Sequence, residues 1–342
     1  MSRLAEGGFA RAALQSGCGF SAGLAEARAL MAAGRAVDAE GVLAGLTAPT
    51  ERAETTLALV RAWNLFWTLD RAADAEVVLA TGERALLAWA DARADRGCPP
   101  NSPGTAELHA LRARFAFAQG DPRSALAMAA PVEADPCAPE AARVRAAVAM
   151  AEALAVCGRC EEAVAVARRW EPSSQRQLAG AQALAHWLAG NLHEAAYEAE
   201  RAYAAATDAQ GWAVAALLLG HVWLSRGDTD AALRWFRESA VLLRGKDPIA
   251  MRPAALAGIA QAAAQAGDAA HAQAAIAELD RMPHAAGRGV GAELGLARAW
   301  TAHVSGDRDR AIAIATVVLA AAEARGADGF AARARAELTR LC

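Results

Sequence analysis

The chain has 342 residues, with 35 basic against 38 acidic side chains and a net charge of −3 at pH 7, a balance without the strongly basic surface that nucleic-acid binding requires. Hydrophobic residues make up 55% of it and aromatics only 5%, because alanine, the best helix former, dominates. Strand-forming residues are scarce, so the expected class is all-α.

The N-terminal residues Met1-Ser2-Arg3-Leu4-Ala5-Glu6-Gly7-Gly8 lack the apolar core of a signal peptide. Residues 1–19 read as a capping helix and loop ahead of a repeat. From there a glycine followed five residues later by alanine recurs: Gly34/Ala39, Gly120/Ala125, Gly158/Ala163, Gly190/Ala195, Gly227/Ala232, Gly267/Ala272 and Gly306/Ala311. Asp70/Ala75 fits the same frame with aspartate in the glycine's place. Seven residues before these turn positions stand small side chains: Ala27, Ala113, Ala151, Ala183, Gly220, Ala260 and Ala299, with Trp63 the exception. A glycine just past a helix end takes the left-handed conformation, and small residues on both flanking helices let them approach closely. The spacing predicts eight helical hairpins.

In chain order, repeats 1 and 2 occupy 20–96 and repeats 3 to 8 occupy 105–325. Between them Gly97-Cys98-Pro99-Pro100-Asn101-Ser102-Pro103-Gly104 reads as a loop over 97–104. Residues 326–342 form a closing helix, whose arginines Arg333, Arg335 and Arg340 are expected to keep one face wet, since solenoid ends need polar caps. The whole chain, 1–342, reads as one superhelical domain. Its longest uncharged stretch, Ala209 to Ser225, falls short of the roughly 20 apolar residues of a membrane span and reads as a buried helix. Six cysteines in 342 residues are too few for a disulfide scaffold, and a cytoplasmic location is expected.

Candidate chemistry is thin. Cys157-Gly158-Arg159-Cys160 has metal or redox spacing, but no second ligand pair stands nearby and Gly158 is a turn position, so packing cysteines are expected. Gly287-Arg288-Gly289-Val290-Gly291 lacks the strand that a dinucleotide loop follows and reads as an inter-repeat linker. The acids Asp91 and Asp95 lack the neighbours of a metal-binding cluster, and the seven histidines are scattered. No catalytic set, cofactor or metal site is expected, and the chain reads as non-enzymatic.

The inner surface is more informative. Six residues before the turn positions stand Arg28, Asn64, Arg114, Glu152, Leu184, His221, Gln261 and Trp300, and three before them Met31, Trp67, Phe117, Ala155, Trp187, Leu224, Ala264 and His303. Offsets differing by three share a helix face. A polar row beside an aromatic row on a concave wall suits a protein or peptide partner, or a small effector. The candidate binding residues are Asn64, Trp67, Arg114, Phe117, Glu152, Trp187, His221, Trp300 and His303. Homo-oligomerisation is a further mode; direct nucleic-acid or membrane binding is not expected.

The small–turn-glycine–small frame, matched eight times, resembles the tetratricopeptide repeat, which implies an all-α, right-handed solenoid. The repeat's aromatic positions are mostly alanine or leucine here, and its closing proline is usually missing. The stretch Ala213–Asp280, with Leu217-Leu218-Leu219-Gly220, Leu242-Leu243-Arg244-Gly245-Lys246-Asp247-Pro248 and Ala255-Leu256-Ala257-Gly258-Ile259-Ala260, is similar to the repeat region of LuxR-type, MalT-like ATP-dependent bacterial regulators. Glu107-Leu108-His109-Ala110-Leu111-Arg112-Ala113 and Ala331-Ala332-Arg333-Ala334-Arg335-Ala336-Glu337-Leu338 are similar too. That resemblance implies a sensing and interaction arm. A phosphate-binding Gly-x-x-x-x-Gly-Lys-Ser/Thr motif is absent, and too few residues follow Leu338 for a helix-turn-helix domain. The alternative is a free-standing tetratricopeptide scaffold outside transcription.

Overall fold

The computed structural model describes residues 19–94, 103–170, 175–244, 247, 251–282 and 291–342. The expected N-terminal cap over 1–18, most of the loop over 97–102 and the glycine linker over 287–290 lie outside the described residues. Among the described residues there is no strand. The helices are α1 (19–32), α2 (Ala36–Gly45), α3 (Glu51–Trp63), α4 (Ala72–Ala94), α5 (Pro103–Ala118), α6 (Pro122–Ala134), α7 (Glu140–Val156) and α8 (Cys160–Trp170), followed by α9 (Gln175–Leu188), α10 (Leu192–Ala205), α11 (Ala209–Ser225), α12 (Thr229–Leu242), α13 (Arg252–Gln265), α14 (Ala269–Asp280), α15 (Gly291–Val304), α16 (Arg308–Ala324) and α17 (Asp328–Leu341). Antiparallel hairpins follow one another along the chain, giving an all-α, tetratricopeptide-like solenoid.

The turns form where the spacing places them. Gly34, Gly120, Gly158, Gly190, Gly227, Gly267 and Gly306 have φ between 75° and 87°, and Asp70, alone among the described non-glycine residues, also has a positive φ, 57°. The hydrogen bonds explain the recurrence. At Gly227, its N–H donates to Leu224 O (3.1 Å) and the next N–H, of Asp228, reaches back to Trp223 O (3.1 Å). This Schellman pairing satisfies the last carbonyls of the first helix. The residue after the glycine then starts the second helix: Asp121, Asp228, Asp268 and Asp307 each accept a backbone N–H three residues on, from Ser124, Ala231, His271 and Arg310. An N-cap of this kind is worth roughly 1 kcal/mol.

The small residues sit at the helix crossings. Ala39, Ala75, Ala125, Ala163, Ala195, Ala232, Ala272 and Ala311 are all 0% exposed, as are Ala27, Ala113, Ala151, Ala183, Ala260 and Ala299. At Gly220 the constraint is steric, because a β-carbon there would lie 2.5 Å from the ring of Phe236.

The exception at Trp63 has a cause. Between α3 and the turn, Asn64–Thr68 form a π-helical segment, in which Leu69 N–H bonds to Asn64 O, five residues back (3.0 Å). The wider turn inserts one residue. The 0%-exposed alanine of this hairpin is therefore Ala62, eight positions before Asp70.

The chain divides into two compact units: residues 1–112 with 136–142, and residues 113–135 with 143–342. In unit 1 a core of Phe20, Leu24, Ala27, Ala39, Leu43 and Leu57 joins the first hairpins. There Glu83 on α4 accepts from Arg112 (2.5 Å) and lies 2.8 Å from His109 Nε2, both on α5. Pro103 and Gly104, expected in the loop, open α5 instead. Proline is tolerated in a helix's first turn, where its missing N–H would be unpaired in any case, and Gly104 packs directly onto Thr55. In unit 2 a core around Phe236 joins α11, α12 and α13 to residues of α14 and α15.

An eighth left-handed glycine, Gly326 (φ 66°), joins α16 to α17. It carries the same frame, with Ala331 five residues later at 3% exposure. Through it α17 packs against α16 and α15 and also reaches α9 across the inner face of unit 2.

Candidate functional site

Of the nine predicted residues, Asn64 and Trp67 belong to unit 1 and the other seven to unit 2. Asn64 is 0% exposed and donates its amide to Ala36 O at 3.0 Å. It ties two hairpins together and faces no partner. The π-helical residue moves it out of the row, since offsets counted from Asp70 are one short in this hairpin. Trp67 is half-buried in an aromatic group, with ring centroids 4.8 Å from Phe66 and 5.9 Å from Trp63.

In unit 2 the first helices of successive hairpins do form one inner face, but it is not an open wall: α17 lies across it. Its first turn meets α7, where a β-carbon at Gly329 would come 2.7 Å from Ala155 O. On α9, the Arg333 guanidinium lies 4.3 Å above the Trp187 ring, and Phe330 meets the same ring edge-on at 6.3 Å. On α11, Arg333 donates to Ser225 Oγ (3.0 Å), which also accepts from Trp187 Nε1 (2.9 Å). On α13, Arg340 reaches Gln265 (3.2 Å), and on α15 Trp300 Nε1 donates to Glu337 (3.0 Å). Arg340 also stacks over the Trp300 ring at 5.0 Å.

Several of the candidate binding residues are thus seats for the chain's own last helix. Trp187, His221 and Trp300 are 4%, 5% and 7% exposed. His221 packs between the rings of Trp187 (4.7 Å) and Phe236 (5.0 Å), and His303 touches Trp300 at 5.5 Å. Arg114 and Glu152, adjacent in the polar row, bond to each other at 2.9 Å. Phe117 packs against Val156, Ala322, Ala327 and Ala331. Arg333, expected on a wet face, keeps only 15% of its side chain exposed, whereas Arg335 and Arg340 remain at 59% and 49%. The reason is the cation–π and hydrogen-bonding seat that Trp187 and Ser225 provide.

The electrostatics of this interface are those of a dry polar layer. Burial holds the His221 imidazole down at about 3, with the Arg333 charge adding to the effect, so it is neutral at pH 7. Burial lifts the Glu293 carboxyl to about 7 against the opposing pull of Arg333. Burial also lowers the Arg333 guanidinium, an effect that Glu337 and Glu293 counter. Several buried polar atoms along the inner face have no hydrogen-bond partner: His221 Nδ1, Gln261 Nε2 and His303 Nδ1. A buried donor or acceptor left unmet costs roughly 1–3 kcal/mol.

Phe330 and Glu337 were not expected in the site, and Arg333 and Arg340 were expected in solvent, although the four carried a signal. They fall at intervals of three, four and three residues, one face of a helix. Ser225 carried none. Cys157 and Cys160 are free thiols flanking the α7–α8 turn, and burial raises both thiol pKa values, away from the reactive thiolate. Among the described residues no group of His, Cys, Asp and Glu could hold a metal ion, and no helix is long and apolar enough to cross a membrane.

No protein-family model matches the sequence, and no curated protein matches it. Solved structures do share its fold. A Rap protein complexed with Competence and Sporulation Factor superposes with a TM-score of 0.57 at 14% identity, covering 94% of this chain and 99% of that one. The type IV pilus biogenesis factor PilW gives 0.47 at 17% identity over 67% of this chain and 96% of its own. A tetratricopeptide repeat protein from Parabacteroides merdae ATCC 43184 gives 0.44 at 14% identity over 82% and 99%. At 14% identity the likeness to the Rap protein is one of fold alone, and the stacked hairpins of this chain are tetratricopeptide-like.

Proposed function

We propose that this chain is a non-catalytic interaction module, a sensor or scaffold, whose inner face receives a helical protein segment, and that α17 occupies that seat until a partner competes for it. The observation that carries the reading is the set of polar atoms in the inner row, on His221, Gln261 and His303, that meet no protein partner. A partner helix that satisfied those atoms while stacking on Trp187 and Trp300 would displace α17 at a net gain. Arg114, Phe117 and Glu152 extend the same face. Trp67, in unit 1, is a further candidate contact. The Rap protein of the same fold is described in complex with a factor, which supports a module that takes up a factor of its own.

The finer reading places the module as the sensing arm of a LuxR-type regulator, supported by the resemblance over Ala213–Asp280. A cytoplasmic location and homo-oligomerisation belong to the same reading. The free-standing scaffold has equal support from the fold. Flanking reading frames encoding a nucleotide-binding domain and a helix-turn-helix would favour the regulator.

The direct test is a labelled synthetic peptide with the sequence of α17, Asp328–Leu341, titrated onto the full chain. Binding that strengthens when Arg333→Ala loosens the resident helix, and that weakens again when Trp300→Phe is added to remove the indole bond to Glu337, supports the seat. No binding to either the parent chain or the Arg333→Ala chain overturns it.

A further inference from the structure

Beside α17, unit 2 holds a cleft of about 620 Å³, within the range of small-molecule sites. We propose that it binds a small amphipathic anion, a carboxylate on an aliphatic body. Six hairpins bring the last turns of the unit back to the first, so the cleft is walled by Phe117 and Val156 on one side and by Leu294, Ile314, Val318 and Phe330 on the other. Among the residues that line it, the charged ones are two arginines, Arg298 and Arg325, without a carboxylate.

Both cations are open to a ligand. Arg325 has no ion pair among the described residues, and it lies over Gly120, where a β-carbon would come 3.3 Å from its Nη1. Arg298 is paired with Asp280 at 2.8 Å, but with 45% and 54% of the two side chains exposed. Such solvated pairs contribute about 0–1 kcal/mol and exchange readily. Val317, at the cleft, remains 68% exposed, apolar surface that an aliphatic body would cover. An apolar trough with cations alone selects against a cation and against a second basic partner. The cleft shares Phe117 and Phe330 with the helix seat, so its wall is complete while α17 is in place.

The test is calorimetric titration of the full chain with decanoate, decanol and decyltrimethylammonium, each below its micelle concentration. Decanoate is expected to bind at least roughly tenfold tighter than decanol, the worth of a charge-assisted hydrogen bond, and the cation no better than decanol. Arg325→Gln should remove that advantage and leave decanol unchanged. Ala321→Trp, a substitution at an exposed cleft residue, should abolish both without lowering the melting temperature. Absence of decanoate binding, equal affinity for all three amphiphiles, or decanoate binding that survives Ala321→Trp would overturn the proposal.

Discussion

The guanidinium of Arg333 lies 4.3 Å above the indole of Trp187 and donates to the same Ser225 hydroxyl that the indole N–H donates to. One residue of the last helix thereby locks three elements, α9, α11 and α17. It also places a cation beside two carboxylates, Glu337 and Glu293, which its charge helps to keep in a dry interface.

Arg333→Met should therefore cost more than a surface arginine does. It removes the stacking and the bond to Ser225 while Glu337 keeps Arg340 (3.2 Å) and the Trp300 indole, a loss of about 2–3 kcal/mol for a desolvated cation–π contact and a charged hydrogen bond. Arg333→Lys keeps the charge and loses the planar stacking, so an intermediate loss is expected. Denaturant unfolding of the two variants measures the difference; a loss under about 1 kcal/mol in Arg333→Met would mean that α17 is held by other contacts.

The pH dependence divides between two groups of opposite sign. Glu293 has a folded pKa of about 7 against an ordinary 4.5, so the stability its protonated form supplies is full below 4.5 and is lost as pH rises through 7. Glu293→Gln cannot ionise, and its advantage over the parent should grow from pH 4.5 to above 7. Melting temperatures at pH 5 and pH 8 test this; an advantage that stays constant contradicts the assignment.

His221 acts the other way. Its folded pKa of about 3 against 6.5 means that its contribution is full above 6.5 and falls as pH drops toward 3, because the unfolded chain takes up the proton first. Between 4.5 and 6.5 the two residues oppose each other. In a Glu293→Gln background the acid side of the stability curve should steepen, and adding His221→Gln should flatten it again.

Trp187→Ala should destabilise the protein by about 3–5 kcal/mol, the range for a buried large aromatic, since only 4% of the side chain is exposed. Trp187→Phe retains the ring and loses the bond to Ser225, worth roughly 1 kcal/mol. Limited proteolysis should cut within α17 in the alanine variant before the parent. Intact α17 in that variant would show that its seat does not depend on this ring.

The glycines separate two kinds of constraint. Gly227→Ala meets no atom within 4 Å but keeps φ at 82°, so it should cost about 1–2 kcal/mol from left-handed backbone strain. Gly220→Ala has ordinary helical backbone but drives a β-carbon into Phe236, an overpacking loss of about 1–3 kcal/mol. Gly258 presses on the same ring from α13. The Gly220→Ala, Gly258→Ala double variant should therefore depart from additivity, whereas pairing either with Gly227→Ala should not.

The turns and the crossings were legible in the sequence because they are decided locally. A left-handed residue is needed wherever a helix reverses onto its neighbour, and a small side chain wherever two helix axes come close. Hence Gly34 to Gly306, Asp70 and the buried alanines at fixed offsets predicted the hairpins one by one. The frame at Gly326 and Ala331 was equally local. The π-helical residue before Asp70 was not: one residue inserted within a helix leaves composition and periodicity nearly unchanged, yet it moved Asn64 from the inner row into the core. Tertiary structure alone decided that α17 turns back over the inner face. The bond from Arg333 to Ser225 spans 108 residues of sequence, and no local period encodes which surface a helix will cover. The cleft has the same origin, since its walls are two ends of unit 2 that meet only once the hairpins between them have stacked.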